Sequence, residues 1–223
     1  MSNFYKIIFS FFALILLVLI FSRLAGGWAF PDTKWDLSGD GEKIKIDPKF
    51  PLTQKFKAER DNLSRIRILF GRSYNKDAGE INLKLSGEDR ENIIREKSFE
   101  RSDIQSEGYY DFRFSKISDS KDKDFYLMIE FKPKNEKYKD LNIFLSNNPI
   151  SGNQLITIEG EIKNGALAMR PAYQADSLTG NIQELNQRVS QYKPGFLKNI
   201  YLYIIFFAFI LLAFFFLILI IWI

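Results

Sequence analysis

The chain contains no cysteine and no histidine. Without cysteine no disulfide can form. Without histidine the commonest general base, the commonest metal ligand and every Ser-His or Cys-His nucleophile are excluded. Zinc, haem and copper sites built on those side chains go with them, leaving Asp, Glu, Lys, Ser and Tyr chemistry and oxygen-ligated Ca²⁺ or Mg²⁺. A non-enzymatic role is therefore expected, with no catalytic residue, metal site or cofactor assigned.

Charge is missing from both ends. Ile7–Ser22 and Ile200–Ile223 contain no Asp, Glu, Lys or Arg. As a helix rising 1.5 Å per residue, the second segment would extend about 36 Å, enough for a ~30 Å hydrocarbon core. The first is shorter and bracketed by Lys6 and Arg23. It is expected to be a second span, with a cleaved signal peptide as the rival reading because small residues follow at Ala25, Gly26, Gly27 and Ala29. On this reading the lipid bilayer is a partner, and the chain is held in the bacterial cytoplasmic membrane. The first span usually dominates topology, which places the middle outside the cytoplasm.

All 27 acidic residues and 29 of the 31 basic residues lie between Arg23 and Ile200, while Lys6 and Arg23 flank the first segment. The middle is thus close to neutral despite the chain's +4, and carries no electrostatic footprint for nucleic acid. It divides into a polar linker (26–51), a folded domain (52–174) and a connector (175–199), after a short tail (1–6) and the first apolar segment (7–25).

Within the domain, apolar residues recur with period two. Ile66, Ile68 and Phe70 alternate with Arg65 and Arg67; Ile81, Leu83 and Leu85 with Asn82 and Lys84; Tyr110, Phe112 and Phe114 with Tyr109, Asp111 and Arg113. Phe125–Phe131, Leu141–Leu145, Leu155–Lys163 and Leu167–Pro171 continue the series, with polar turns at Ser118–Lys123 and Asn147–Asn153. Strands with one wet face give this pattern, and no helix-length amphipathic stretch separates them. The fold class expected is an all-β antiparallel sandwich, jelly-roll or immunoglobulin-like, plus two transmembrane helices. Ile182, Leu185, Val189 and Tyr192 recur at helical spacing, so Asn181–Tyr192 reads as a short amphipathic helix before Pro194-Gly195.

Several stretches resemble a recurring bacterial module. They are Gln54-x-Phe56-x-Ala58, Asn62-Leu63-Ser64-x-Ile66-x-Ile68, Tyr109-Tyr110-x-Phe112-x-Phe114, Ile117-x-Asp119-Ser120-Lys121, Gly165-Ala166-Leu167-Ala168-Met169-Arg170 and Gln187-Arg188-x-Ser190-Gln191-Tyr192-Lys193-Pro194. The module is a sandwich domain beside membrane helices in bacterial envelope proteins, of the kind that accompanies membrane glycosyltransferases and polysaccharide-assembly proteins. The resemblance covers roughly residues 50–200 and implies a fold and a setting, but no activity and no functional residues.

The polar strand faces supply the candidate ligand-binding residues. Arg65, Arg67, Lys84 and Arg113 would form a basic patch if their strands are neighbours, because guanidinium groups pair bidentately with carboxylate and phosphate. A solvated face with cross-strand partners such as Asp111 and Glu130 is the bland alternative. Tyr109 and Tyr126 are candidates for stacking on sugar rings, with Trp35 as a further platform. Asp119, Asp122 and Asp124 cluster in one turn but lack the spacing of a calcium loop. Glu159 and Glu161 share a strand face, as a glycosidase pair would, without a pocket to raise a pKa. The function expected is a membrane-anchored accessory protein binding glycan, a lipid-linked sugar or an envelope partner in cell-surface polysaccharide assembly. The alternative is a subunit or fragment of a polytopic membrane glycosyltransferase; a carboxylate hydrolase is the least favoured.

Overall fold

A computed structural model describes every residue except 1–2, 36, 38–40, 72–78, 105–107, 136–140, 147–154, 159, 191–194, 196–198 and 223. The chain forms two compact units: Met1–Trp28 with Ala175–Ile223, and Ala29–Gln174.

The first unit is helical. The two uncharged segments become α1 (Asn3–Gly26) and α3 (Ile200–Trp222), and α2 (Leu178–Ser190) lies between them in sequence. Large apolar side chains are exposed along α1 and α3. Among the described residues, however, no helix is long and apolar enough to cross a membrane. The expected pair of transmembrane helices is corrected on this ground. The membrane anchoring, the bacterial cytoplasmic-membrane location and the extracytoplasmic placement that depended on it fall as well. Among the described residues the fold is β-rich with three α-helices. Inside this unit Asn181 is fully buried, donating from Nδ2 to the carbonyls of Ala25 (2.8 Å) and Gly26 (3.2 Å). It thereby answers carbonyls that the end of α1 leaves without an intrahelical partner.

The second unit is built from β1 (Ala29–Pro31), β2 (Lys43–Ile46), β3 (Leu52–Lys57), β4 (Leu63–Leu69), β5 (Gly79–Ser86), β6 (Ile93–Glu100), β7 (Tyr109–Ile117), β8 (Asp124–Pro133), β9 (Leu141–Phe144), β10 (Leu155–Ile158), β11 (Glu161–Asn164) and β12 (Met169–Gln174). They assemble as a four-stranded sheet β1-β12-β4-β7, a six-stranded sheet β11-β10-β3-β8-β5-β6 and a ribbon β2-β9. Every described strand pairing is antiparallel. Without β2, β9, β10 and β11, eight strands remain in chain order. The first pairs with the last (β1 with β12), the second with the seventh (β3 with β8), the third with the sixth (β4 with β7) and the fourth with the fifth (β5 with β6). This is one long folded-back ribbon wrapped into two layers, the topology of a jelly roll.

Alternation explains the layers. Ile66, Ile68, Phe112 and Met169 of the smaller sheet meet Leu52, Phe56, Ile81, Leu83, Phe125, Leu127 and Ile129 of the larger in one buried core. The predicted linker differs from expectation in two ways. It contributes β1 and β2, and its Trp35 is buried at 4% exposure, edge-on to Phe56 with ring centres 5.9 Å apart. Trp35 is therefore core and not an exposed sugar platform. The run Leu155–Lys163 is a hairpin, not one strand: Gly160 takes φ 83°, where a side chain would be strained, and reverses the chain.

A buried hydroxyl is one of the links between two opposite polar turns. Ser120, fully buried, donates to the Arg60 carbonyl (2.8 Å) and accepts from the Leu63 amide (3.1 Å). Ser120→Ala leaves the buried Leu63 amide without its acceptor and is expected to cost about 2 kcal/mol. A lowered urea midpoint with unchanged m-value would show it; an unaltered midpoint would mean that the two turns hold without the hydroxyl.

Candidate functional site

The outward face of the four-stranded sheet carries an unusual register. Arg67 lies opposite Arg170 on one side and Asp111 on the other, and Arg65 lies opposite Arg113. Like charges placed directly across strands repel. This sheet nevertheless contains two arginine–arginine pairs, with Asp111 as the one carboxylate bonded into them among the described residues.

Asp111 is the hub. Arg67 grips it with two parallel bonds, Nε to Oδ1 at 2.7 Å and Nη2 to Oδ2 at 3.0 Å, while Arg113 Nη2 donates to Oδ2 at 3.1 Å. Arg65 Nη1 stands 3.7 Å away. Burial by itself would push the Asp111 carboxyl up. The bonds from Arg67 and Arg113 and the charges of Arg65 and Arg67 outweigh it, and the pKa falls from 3.8 to about 2. Burial pulls Arg65 down, only partly offset by Asp111, and the charges of Arg67 and Arg113 lower it further, whereas the bond to Asp111 raises Arg67.

The arginines differ in what they can still offer. Arg65 donates from Nη2 to the Ala29 carbonyl at 3.0 Å, and its Nε is buried without a partner among the described residues. Arg170 donates from Nε to the Trp35 carbonyl at 2.9 Å, with no ion-pair partner among the described residues. Arg113 is the exposed member, its side chain 70% accessible. Tyr109 closes one end of the row: its ring lies 6.0 Å from the Arg67 guanidinium and its hydroxyl donates to the Leu37 carbonyl at 3.3 Å. Beside it Leu37, Leu69 and Ala168 form a small apolar cluster, with Phe144 packed against it.

Four of the six candidate residues thus come together, namely Arg65, Arg67, Tyr109 and Arg113. Lys84 and Tyr126 do not, because β5 and β8 belong to the other sheet. Lys84 is held by Glu130 at 2.7 and 2.9 Å, with Glu96 at 4.0 Å. The Tyr126 ring is covered by Arg90 at 4.4 Å and Lys55 at 5.9 Å. Arg170 was missing from the sequence-derived set, although its neighbour Met169 is a core residue and alternation puts Arg170 on the opposite face.

The acidic constellations are answered locally. Asp124 pairs with Lys55 at 2.6 Å, Asp122 stands 3.9 Å from Lys57, and Asp119 bonds Lys123. Glu159 lies outside the described residues, as do the turn Asn147–Asn153 and Tyr192; Glu161 opens β11 beyond the reversal at Gly160. No protein-family model and no curated protein matches the chain.

Proposed function

We propose that the jelly-roll unit is a non-enzymatic recognition module that binds anionic glycan, free or lipid-linked, in cell-surface polysaccharide assembly. The observation that carries this reading is the pair of cross-strand arginine couples sharing Asp111. Four guanidinium groups against one bonded carboxylate leave the face with surplus positive charge, and opposite anions in a ligand complete it. Tyr109 at the end of the row adds an aromatic flank of the sort that sugar rings stack on. A chain without histidine or cysteine suits recognition better than turnover.

Titrating the full-length protein with polygalacturonate and with neutral dextran tests the reading. Polygalacturonate should bind, dextran should not, and affinity should fall as salt rises, since each anion–arginine contact releases counterions. Equal affinity for both polymers, or binding indifferent to salt, would overturn it.

A further inference from the structure

We infer that the arginine face takes anions in spaced pairs along one polymer and discriminates against single anions, with Arg113 and Arg170 as the anchors and Asp111 as the residue that sets this selectivity. The inference rests on the anionic-glycan reading above. Its basis is what Asp111 already occupies. A ligand carboxylate would use a two-nitrogen edge of a guanidinium, and on Arg67 the Nε–Nη2 edge is filled by Oδ1 and Oδ2 of Asp111. Arg65 is turned to the Ala29 carbonyl and screened by Asp111. Asp111 thus takes up part of the donor capacity at the centre of the face and cancels one of its positive charges.

Donors remain at the two ends. Arg113 gives Asp111 one bond and is otherwise exposed. Arg170 gives its Nε to Trp35 and keeps its terminal nitrogens without a protein partner among the described residues. The two residues stand two strands apart and one two-residue step out of line. At 4.8 Å between strands and 3.3 Å per residue, their Cα atoms are about 12 Å apart. An exposed single ion pair contributes little. Two anions on one chain make the second contact intramolecular, so the pair binds where either alone does not.

Full-length protein, titrated with polygalacturonate and with monomeric galacturonate at matched carboxylate concentration, decides the matter. The polymer should bind at least about a hundredfold tighter per carboxylate. Arg113→Gln and Arg170→Gln should each weaken the polymer about tenfold and lower the slope of log affinity against log salt by at most about one. Asp111→Asn should release the Arg67 edge, admit the monomer, and cut the polymer-to-monomer ratio about tenfold. If Asp111→Asn does not fold, the two surface arginine variants decide alone. Polymer binding without preference over the monomer, or polymer affinity indifferent to both arginine variants, would overturn the paired-anion inference and leave the glycan reading standing. No polymer binding at all would remove both.

Discussion

Asp111→Asn is expected to destabilise the protein by about 3 kcal/mol, because it leaves three arginines facing one another around a neutral amide. Removing one partner of a buried ion pair costs about 3–5 kcal/mol. The lower end applies because Arg113 is 70% exposed although Asp111 is only 9% exposed. The loss should depend on pH in one direction. The folded-state pKa of about 2 lies below the ordinary 3.8. The stabilisation is therefore complete above about pH 5, declines as pH falls through 3.8, and is gone below about pH 2. That shift corresponds to about 2 kcal/mol. Urea melts of the wild type and Asp111→Asn should differ by a constant amount near neutrality and converge by about 2 kcal/mol in acid. A difference that does not change between pH 6 and pH 2 would mean that Asp111 is not the charged hub.

Phe56→Ala should cost about 4 kcal/mol, the range for truncating a fully buried aromatic. Phe56 is 1% exposed, lies opposite Phe125 across β3 and β8, and stacks on that ring at 5.8 Å. It also receives the edge of Trp35. The variant therefore opens a cavity in the main core and loosens Trp35, whose carbonyl holds Arg170. Ile93→Ala offers the internal comparison: Ile93 is 45% exposed, and its truncation should stay within about 0.5 kcal/mol. Equal urea midpoints for the two variants would contradict the packing described here.

Period-two alternation was sufficient to find the strands whose two faces meet core and water. The runs around Ile66, Ile81, Phe112 and Phe125 fall within β4, β5, β7 and β8. It failed where another requirement dominated. β6 has mostly exposed or half-exposed side chains, so its Ile93–Glu100 sequence carries almost no inward signal. β1 and β2 are short and sit among Gly, Asp and Pro, and tertiary pairing with β12 and β9 makes them strands. The hairpin at Gly160 was read through because alternation does not register a reversal. For the site, alternation correctly put Arg65, Arg67, Tyr109 and Arg113 on outward faces. Which sheet each strand joins is a long-range pairing that period two does not encode, so Lys84 and Tyr126 were grouped with the wrong neighbours.

The wrapped ribbon has a consequence for biosynthesis. Its opening strand, β1, pairs with its closing strand, with Ala29 opposite Gln174. Nascent chain emerging from the ribosome must therefore wait for its final segment before the smaller sheet can close. Early β4 and β7 then present an unzipped border to neighbouring molecules. Closure by such distant sequence partners is intrinsically slow, and this interval is when the polypeptide is most exposed to aggregation.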